Sequence, residues 1–178
     1  MNLFITWPEP IEIRHFSHGD KFDALIDWAN TFGRTVVCAK DSSCPHEPYT
    51  SISENLAIVG VPNLEGWQLL QDVGCTTRQT IEKHLEKADR VIAFDKCHIG
   101  IIAARLALRA GIPYIFLQSA ERTRRQGQYR VIMSSIKKWI SNDICSNAVA
   151  ALNYHSIQEI FTLPFNEYFI NWRQKSPR

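Results

Sequence analysis

"RVIAFDKCHIGIIAARLALRAGIPYIFL", residues 90–117, sets two short apolar runs on either side of one helical segment, and its punctuation decides the fold. The runs Arg90 to Phe94 and Tyr114 to Leu117 lack polar alternation and are too short for helices, so both read as strands covered on two faces. Between them Ile99, Ile102, Ala103, Leu106 and Ala110 recur at helical spacing. Gly111-Ile112-Pro113 ends that helix, because glycine accepts a left-handed cap and proline forbids continuation. Buried strands joined through a helix are parallel neighbours linked by a right-handed crossover.

The same pattern extends in both directions. Leu3 to Trp7, Thr35 to Ala39, Leu56 to Val61 and Val149 to Asn153 read as further buried strands. Phe22, Leu25, Ile26, Ala29 and Phe32 mark a helix between a cap at Asp20 and a stop at Gly33. Trp67, Leu70, Val73, Thr77, Ile81, Leu85 and Ala88 keep helical spacing, with Gly74 and Thr76-Thr77-Arg78-Gln79 as the point where one helix becomes two. Ile132, Ile136, Trp139, Ile140, Asp143 and Ile144 place a longer helix, and Ser156-Ile157-Gln158-Glu159 is a capping box for a short one. The expected fold is α/β: a Rossmann-like, three-layer, doubly wound sheet of about six mostly parallel strands with helices on both faces. Residues 1–163 form the wound domain, and residues 164–178 an aromatic C-terminal helix or tail. Phe165, Tyr168, Phe169 and Trp172 give that tail an apolar face to dock on the domain, a partner or a membrane surface.

A chain of 178 residues with 45% hydrophobic content builds one substantial core. A net charge of +2 supplies no global field for nucleic acid, and no nucleic-acid partner is expected. Cys38, Cys44, Cys75, Cys97 and Cys145 are odd in number and lack C-x-x-C spacing, which points to reduced thiols. The start, Met1 to Pro8, has no basic leader, and no apolar run is long enough to span a bilayer, so the expected location is cytoplasmic.

In a wound sheet ligands sit beyond the carboxyl ends of the strands, near the point where strand order reverses. The segments to inspect are therefore Pro8 to Asp20, Asp95 to Gly100 and Gln118 to Arg125. Adjacent side chains point in different directions, so Cys97 and His98 do not make a thiolate–imidazole dyad with each other. Cys38, Cys44 and His46 follow no zinc template, and no metal is expected. The position offers a helix N-terminus beside Gly100, which serves either as a binding turn or simply as close helix packing. Asp95 caps that helix or bonds ligand hydroxyls, and Glu121 has the same two roles open to it. Arg122, Arg124, Arg125 and Arg130 form a basic run that grips an anion or an anionic lipid surface, or is a solvated loop. His15 and His18 either face the cleft or lie exposed.

"ADRVIAFDKCHIGIIAARLALRAGIPYIFLQSAERTRRQ", a long helix and then "NAVAALNYHSIQEIF" resemble the acceptor-side, N-terminal half of retaining GT-B glycosyltransferases of the family-4 type, over roughly Ala88 to Phe161. The resemblance implies an acceptor-binding half that needs a donor-binding GT-B domain or subunit and is inactive alone. Its acceptor would be a glycan or lipid-linked molecule, as in polysaccharide biosynthesis, with peripheral contact to the inner, anionic face of a membrane. By position it implies His18, Asp95, His98, Gly100, Gln118, Glu121, Arg122 and Arg125 as acceptor- or ligand-binding residues, with no catalytic residue assigned and no cofactor. Two departures are clear. Pro8-Glu9-Pro10-Ile11-Glu12-Ile13-Arg14 replaces the family's glycine-rich turn, and Gln118-Ser119 replaces the histidine often found after the fifth strand.

A second resemblance, carried by "ADRVIAFD" and "GIIAARLALRAGIPYI", is to deoxyribosyltransferase-like nucleotide-binding proteins. That chemistry needs a carboxylate nucleophile on the helix after the fourth strand, and Ile99 to Ala110 contains none, which leaves a stand-alone nucleotide-binding module. A dinucleotide oxidoreductase is disfavoured because no G-x-G-x-x-G follows the first strand.

Overall fold

The computed structural model describes residues 2–11, 20–41, 49–62, 76–95, 98–120 and 142–175. Its strands are β1 (Leu3–Thr6), β2 (Thr35–Asp41), β3 (Tyr49–Ser51), β4 (Leu56–Pro62), β5 (Arg90–Phe94), β6 (Tyr114–Ser119) and β7 (Ala150–Tyr154). The described helices are α1 (Asp20–Phe32), α2 (Thr76–Leu85), α3 (His98–Ala110), α4 (142–147), α5 (Ile157–Ile160) and α6 (Phe165–Lys175).

One sheet takes all seven strands in the order β3-β4-β2-β1-β5-β6-β7. Every pair is parallel except β3 with β4, so the six longer strands form a wound parallel sheet and β3 adds an antiparallel edge. The chain winds outward from β1 to β4 and then returns to the other side of β1 with β5, which places the reversal of strand order between β1 and β5. The fold is α/β and Rossmann-like, with one more strand than the periodicity predicts.

Alternation along each strand sorts the core into two layers. Leu3 and Ile5, Val37 and Ala39, Ile92 and Phe94, and Ile115 and Leu117 face Leu25 and Ala29 of α1 and Phe165 and Phe169 of α6. Phe4, Val91, Ala93 and Phe116 face the opposite layer, with Ile81 and Leu85 of α2, Ala103, Ala104 and Ala107 of α3, and Ile144 of α4. Gly33 and Gly111 end α1 and α3 at positive φ, 90° and 68°. The buried stripe of α3 is Ile99, Gly100, Ala103, Ala104 and Ala107, a face rotated from the predicted one, while Ile102 and Leu106 pack at its margin and Ala110 is exposed. The small residues turn inward because α3 lies close on β5.

Phe165 and Phe169 sit in the same apolar layer as β1 and β5, each 1% exposed, and Tyr168 packs against that layer. The guanidinium of Arg90 stands 4.9 Å from the Phe169 ring centroid, within cation–π range. The capping box at Ser156 is formed: Ser156 Oγ accepts the Glu159 N–H at 3.2 Å, and Glu159 Oε2 accepts the His155 N–H at 2.9 Å. That bond from His155 holds the Glu159 carboxyl below its ordinary pKa. The predicted helical stretches over Trp67 to Val73 and over Ile132 to Ile140 lie outside the described residues. No helix among the described residues is long and apolar enough to cross a membrane.

Candidate functional site at the carboxyl edge of the sheet

The β1–β5 ladder stops at Ile5 and Ile92, one residue before the end of β1. Beyond it the Phe94 N–H is accepted at 3.0 Å by the Thr6 side-chain Oγ1, a fully buried hydroxyl. A hydroxyl standing between two strands lets them splay while leaving no buried donor unsatisfied. On its other side β5 stays in register with β6, Phe94 opposite Leu117, and the Asp95 N–H bonds the Leu117 carbonyl at 2.9 Å. Hence β5 parts from β1 where strand order reverses and remains zipped to β6. That divergence falls at the switch point of the strand order, the place where wound sheets bind their ligands.

Aromatic side chains support this edge from the α1–α6 layer. Trp7, directly after Thr6, is 4% exposed and donates its backbone N–H to the Cys38 carbonyl at 2.7 Å. Its ring lies 6.2 Å from Phe94 and 6.3 Å from Phe161, and Phe94 meets Tyr154 edge-on at 5.5 Å. Trp28 of α1 completes the group against Phe161 and Phe165, at 4.9 and 5.1 Å. The strand ends therefore rest on a packed floor.

Among the residues the sequence singles out, Asp95, His98, Gly100 and Gln118 come together at this edge. Asp95 is half-buried, and its Oδ1 accepts the Ser119 N–H at 2.9 Å, a pin between the ends of β5 and β6. This bond stands beside the two roles its position foretold, a helix cap or a ligand contact, and it fixes the carboxylate at the edge. His98 opens α3 as a half-buried residue. Gly100 is buried two residues further on, and a Cβ built there would overlap the Phe94 carbonyl oxygen. Only glycine lets α3 start so close behind β5, which sets the N-terminus of the helix at this edge. Gln118 is half-buried and in register with Asn153 of β7. His18, Glu121, Arg122 and Arg125 lie outside the described residues, as do Cys97 and the rest of the basic run.

Thr6 and Ser119 were missed by sequence reasoning. Thr6 had a signal: it is the one hydroxyl in the apolar run Leu3 to Trp7, at its carboxyl end. Ser119 had none, because its part depends on β5–β6 register. Cys145 of α4 has its thiol pushed above the ordinary range by burial and, after that, by the Asp95 charge, so it is a poor nucleophile at neutral pH. Among the described residues no cluster of three or more His, Cys, Asp or Glu side chains is placed to hold a metal ion. The site therefore offers polar side chains, a helix N-terminus and an aromatic floor, an arrangement suited to holding a hydroxyl-bearing or anionic ligand. Compared with known proteins, the chain matches no family model and no curated relative.

Proposed function

We propose that the chain is the acceptor-binding half of a GT-B, family-4-type glycosyltransferase, holding a glycan or lipid-linked acceptor at the carboxyl edge between β1 and β5. The observation that carries this reading is the end of the β1–β5 ladder before Thr6, at the reversal of strand order and on the same edge as Asp95, His98 and Gln118. A carboxylate held rigidly by Ser119, an imidazole and a carboxamide are the groups that bond sugar hydroxyls, and the helix N-terminus favours any anionic group the acceptor carries. Transfer itself would need a donor-binding domain or subunit. The location we propose is cytoplasmic, with Arg122 and Arg125 touching the anionic inner face of a membrane.

Calorimetric titration of the purified chain tests the reading. Oligosaccharide or lipid-linked acceptor mimics should bind, Asp95→Asn and His98→Ala should each weaken them about tenfold, and nucleotide-sugars should give little heat and no turnover. Tight binding of a nucleotide or nucleotide-sugar would overturn the acceptor reading in favour of a stand-alone nucleotide-binding module using the same α3 terminus.

A further inference from the structure

We propose that the opposite, amino edge of the sheet holds an independent site for a small phosphate ester with an apolar substituent. A cavity of about 340 Å³ lies where the end of α2 meets the first residues of β1 and β2. Arg34, Lys83, His84 and Lys87 line it, and no acidic side chain does so among the described residues. Phe4, Val36 and Val59 give it an apolar floor.

Lys83 and His84 of α2 stand four and three residues before Lys87, which follows the end of that helix by two residues. The chain keeps helical bonding past Leu85, with the Glu86 N–H on the Glu82 carbonyl at 3.0 Å. Cations at a helix C-terminus are favoured by its dipole, and that alone explains some basic charge here. It does not explain Arg34, which arrives from the α1–β2 connection and lines the same cavity. Arg34 and Lys87, brought to one cavity by separate connections, carry like charges that repel each other weakly. An anion at the centre reverses the sign of these terms, and the arginine fork suits phosphate.

Size and lining narrow the ligand. About 340 Å³ is at the small end of ligand cavities, enough for a phosphoryl group with one ring or short chain. The apolar floor favours an ester over inorganic phosphate because it removes the substituent from water. Asn2, Leu3, Arg34 and Ala88 mark the amino ends of β1, β2 and β5, so this cavity and the carboxyl-edge site lie at opposite ends of the strands. Failure of either titration leaves the other's result standing.

A soluble ester and a phospholipid headgroup share this chemistry, and two probes separate them. The full chain should bind phenyl phosphate about tenfold more tightly than inorganic phosphate, with affinity falling as salt is added. The double substitution Arg34→Gln with Lys87→Gln should weaken phenyl phosphate about tenfold. Both side chains are exposed, and circular dichroism checks the fold; Lys87→Glu alone is the second variant. Phosphatidylcholine vesicles containing phosphatidic acid provide the lipid arm. Retention on them that the double variant loses upholds the site with a headgroup as its source, and phenyl phosphate binding without retention upholds it with a soluble ester. No binding of phenyl phosphate at millimolar concentration together with no vesicle retention overturns the proposal, as does unchanged affinity in the double variant and in Lys87→Glu.

Discussion

Thr6 and Tyr114 show how single polar atoms organise an otherwise apolar sheet. Thr6 Oγ1 is the acceptor of the buried Phe94 N–H, so Thr6→Val keeps the shape and strands the donor. Chemical denaturation should show a loss of about 1–3 kcal/mol, with Thr6→Ser recovering most of it; a neutral Thr6→Val would mean that β1 does not part from β5 in this way. Tyr114 is 2% exposed and donates its hydroxyl proton to the Ile144 carbonyl at 2.6 Å. Burial, followed by the charges of Asp143 and Cys145, pushes its pKa up to about 12 from 10.0. The folded chain thus keeps this proton at alkaline pH where the unfolded chain releases it. The resulting stability is complete below the unfolded value of 10.0 and is lost as pH rises toward about 12. Tyr114→Phe should cost about 1–2 kcal/mol at neutral pH and remove that alkaline component, read by urea unfolding on either side of the unfolded value. Neither role was legible in advance. A threonine or tyrosine in a strand run identifies a polar atom, but its partner depends on register and on a helix that arrives later in the chain.

Where strands and helices begin and end was much more legible than how they face one another. Arg90 to Phe94 is bounded as the apolar run predicts, and Gly33 and Gly111 stop their helices in the left-handed region. β3 escaped notice because Tyr49-Thr50-Ser51 is three residues long and carries no apolar run, and its strand character comes from antiparallel pairing with β4. The buried face of α3 was misjudged because hydrophobic spacing weights Ile102 and Leu106 above glycine and alanine, whereas close approach to β5 selects the small residues. Asp95, His98, Gly100 and Gln118 were legible as an edge cluster because parallel pairing brings successive strand ends together. Gly100 ties element placement to the site. Gly100→Ala sets a Cβ against the Phe94 carbonyl, so α3 must shift away from β5. We expect about 1–3 kcal/mol lost in thermal unfolding, together with loss of the proposed acceptor binding as His98 moves. Wild-type stability in Gly100→Ala would show that the β5–α3 turn has slack.

At the scale of the whole molecule, the C-terminal helix decides whether the wound sheet is complete without it. The layer on the α1 side is closed over β1 and β5 by Phe165 and Phe169, with Trp28 edge-on to Phe165 and Arg90 stacked on Phe169. Arg90, a 7%-exposed residue at the start of a central strand, also donates to Asn166 Oδ1 of α6 at 3.5 Å. Removing residues 164–178 would take away two buried rings and expose to water the apolar sheet surface beneath them. Full burial of one such side chain is worth about 1.5–3 kcal/mol, and a domain of this size has only about 5–15 kcal/mol in total. The truncated chain 1–163 should therefore lose its cooperative thermal transition and near-ultraviolet circular dichroism signal while binding a hydrophobic dye. Phe169→Ala in the full chain should lower stability by about 3–5 kcal/mol without abolishing the transition. If 1–163 unfolds cooperatively at the full-length midpoint, α6 is an appendage, and the aromatic floor at Trp7 and Phe94 stands without it. If it does not, the helix is part of the core that holds the carboxyl edge in shape, and the proposed acceptor site cannot be separated from the C-terminal segment.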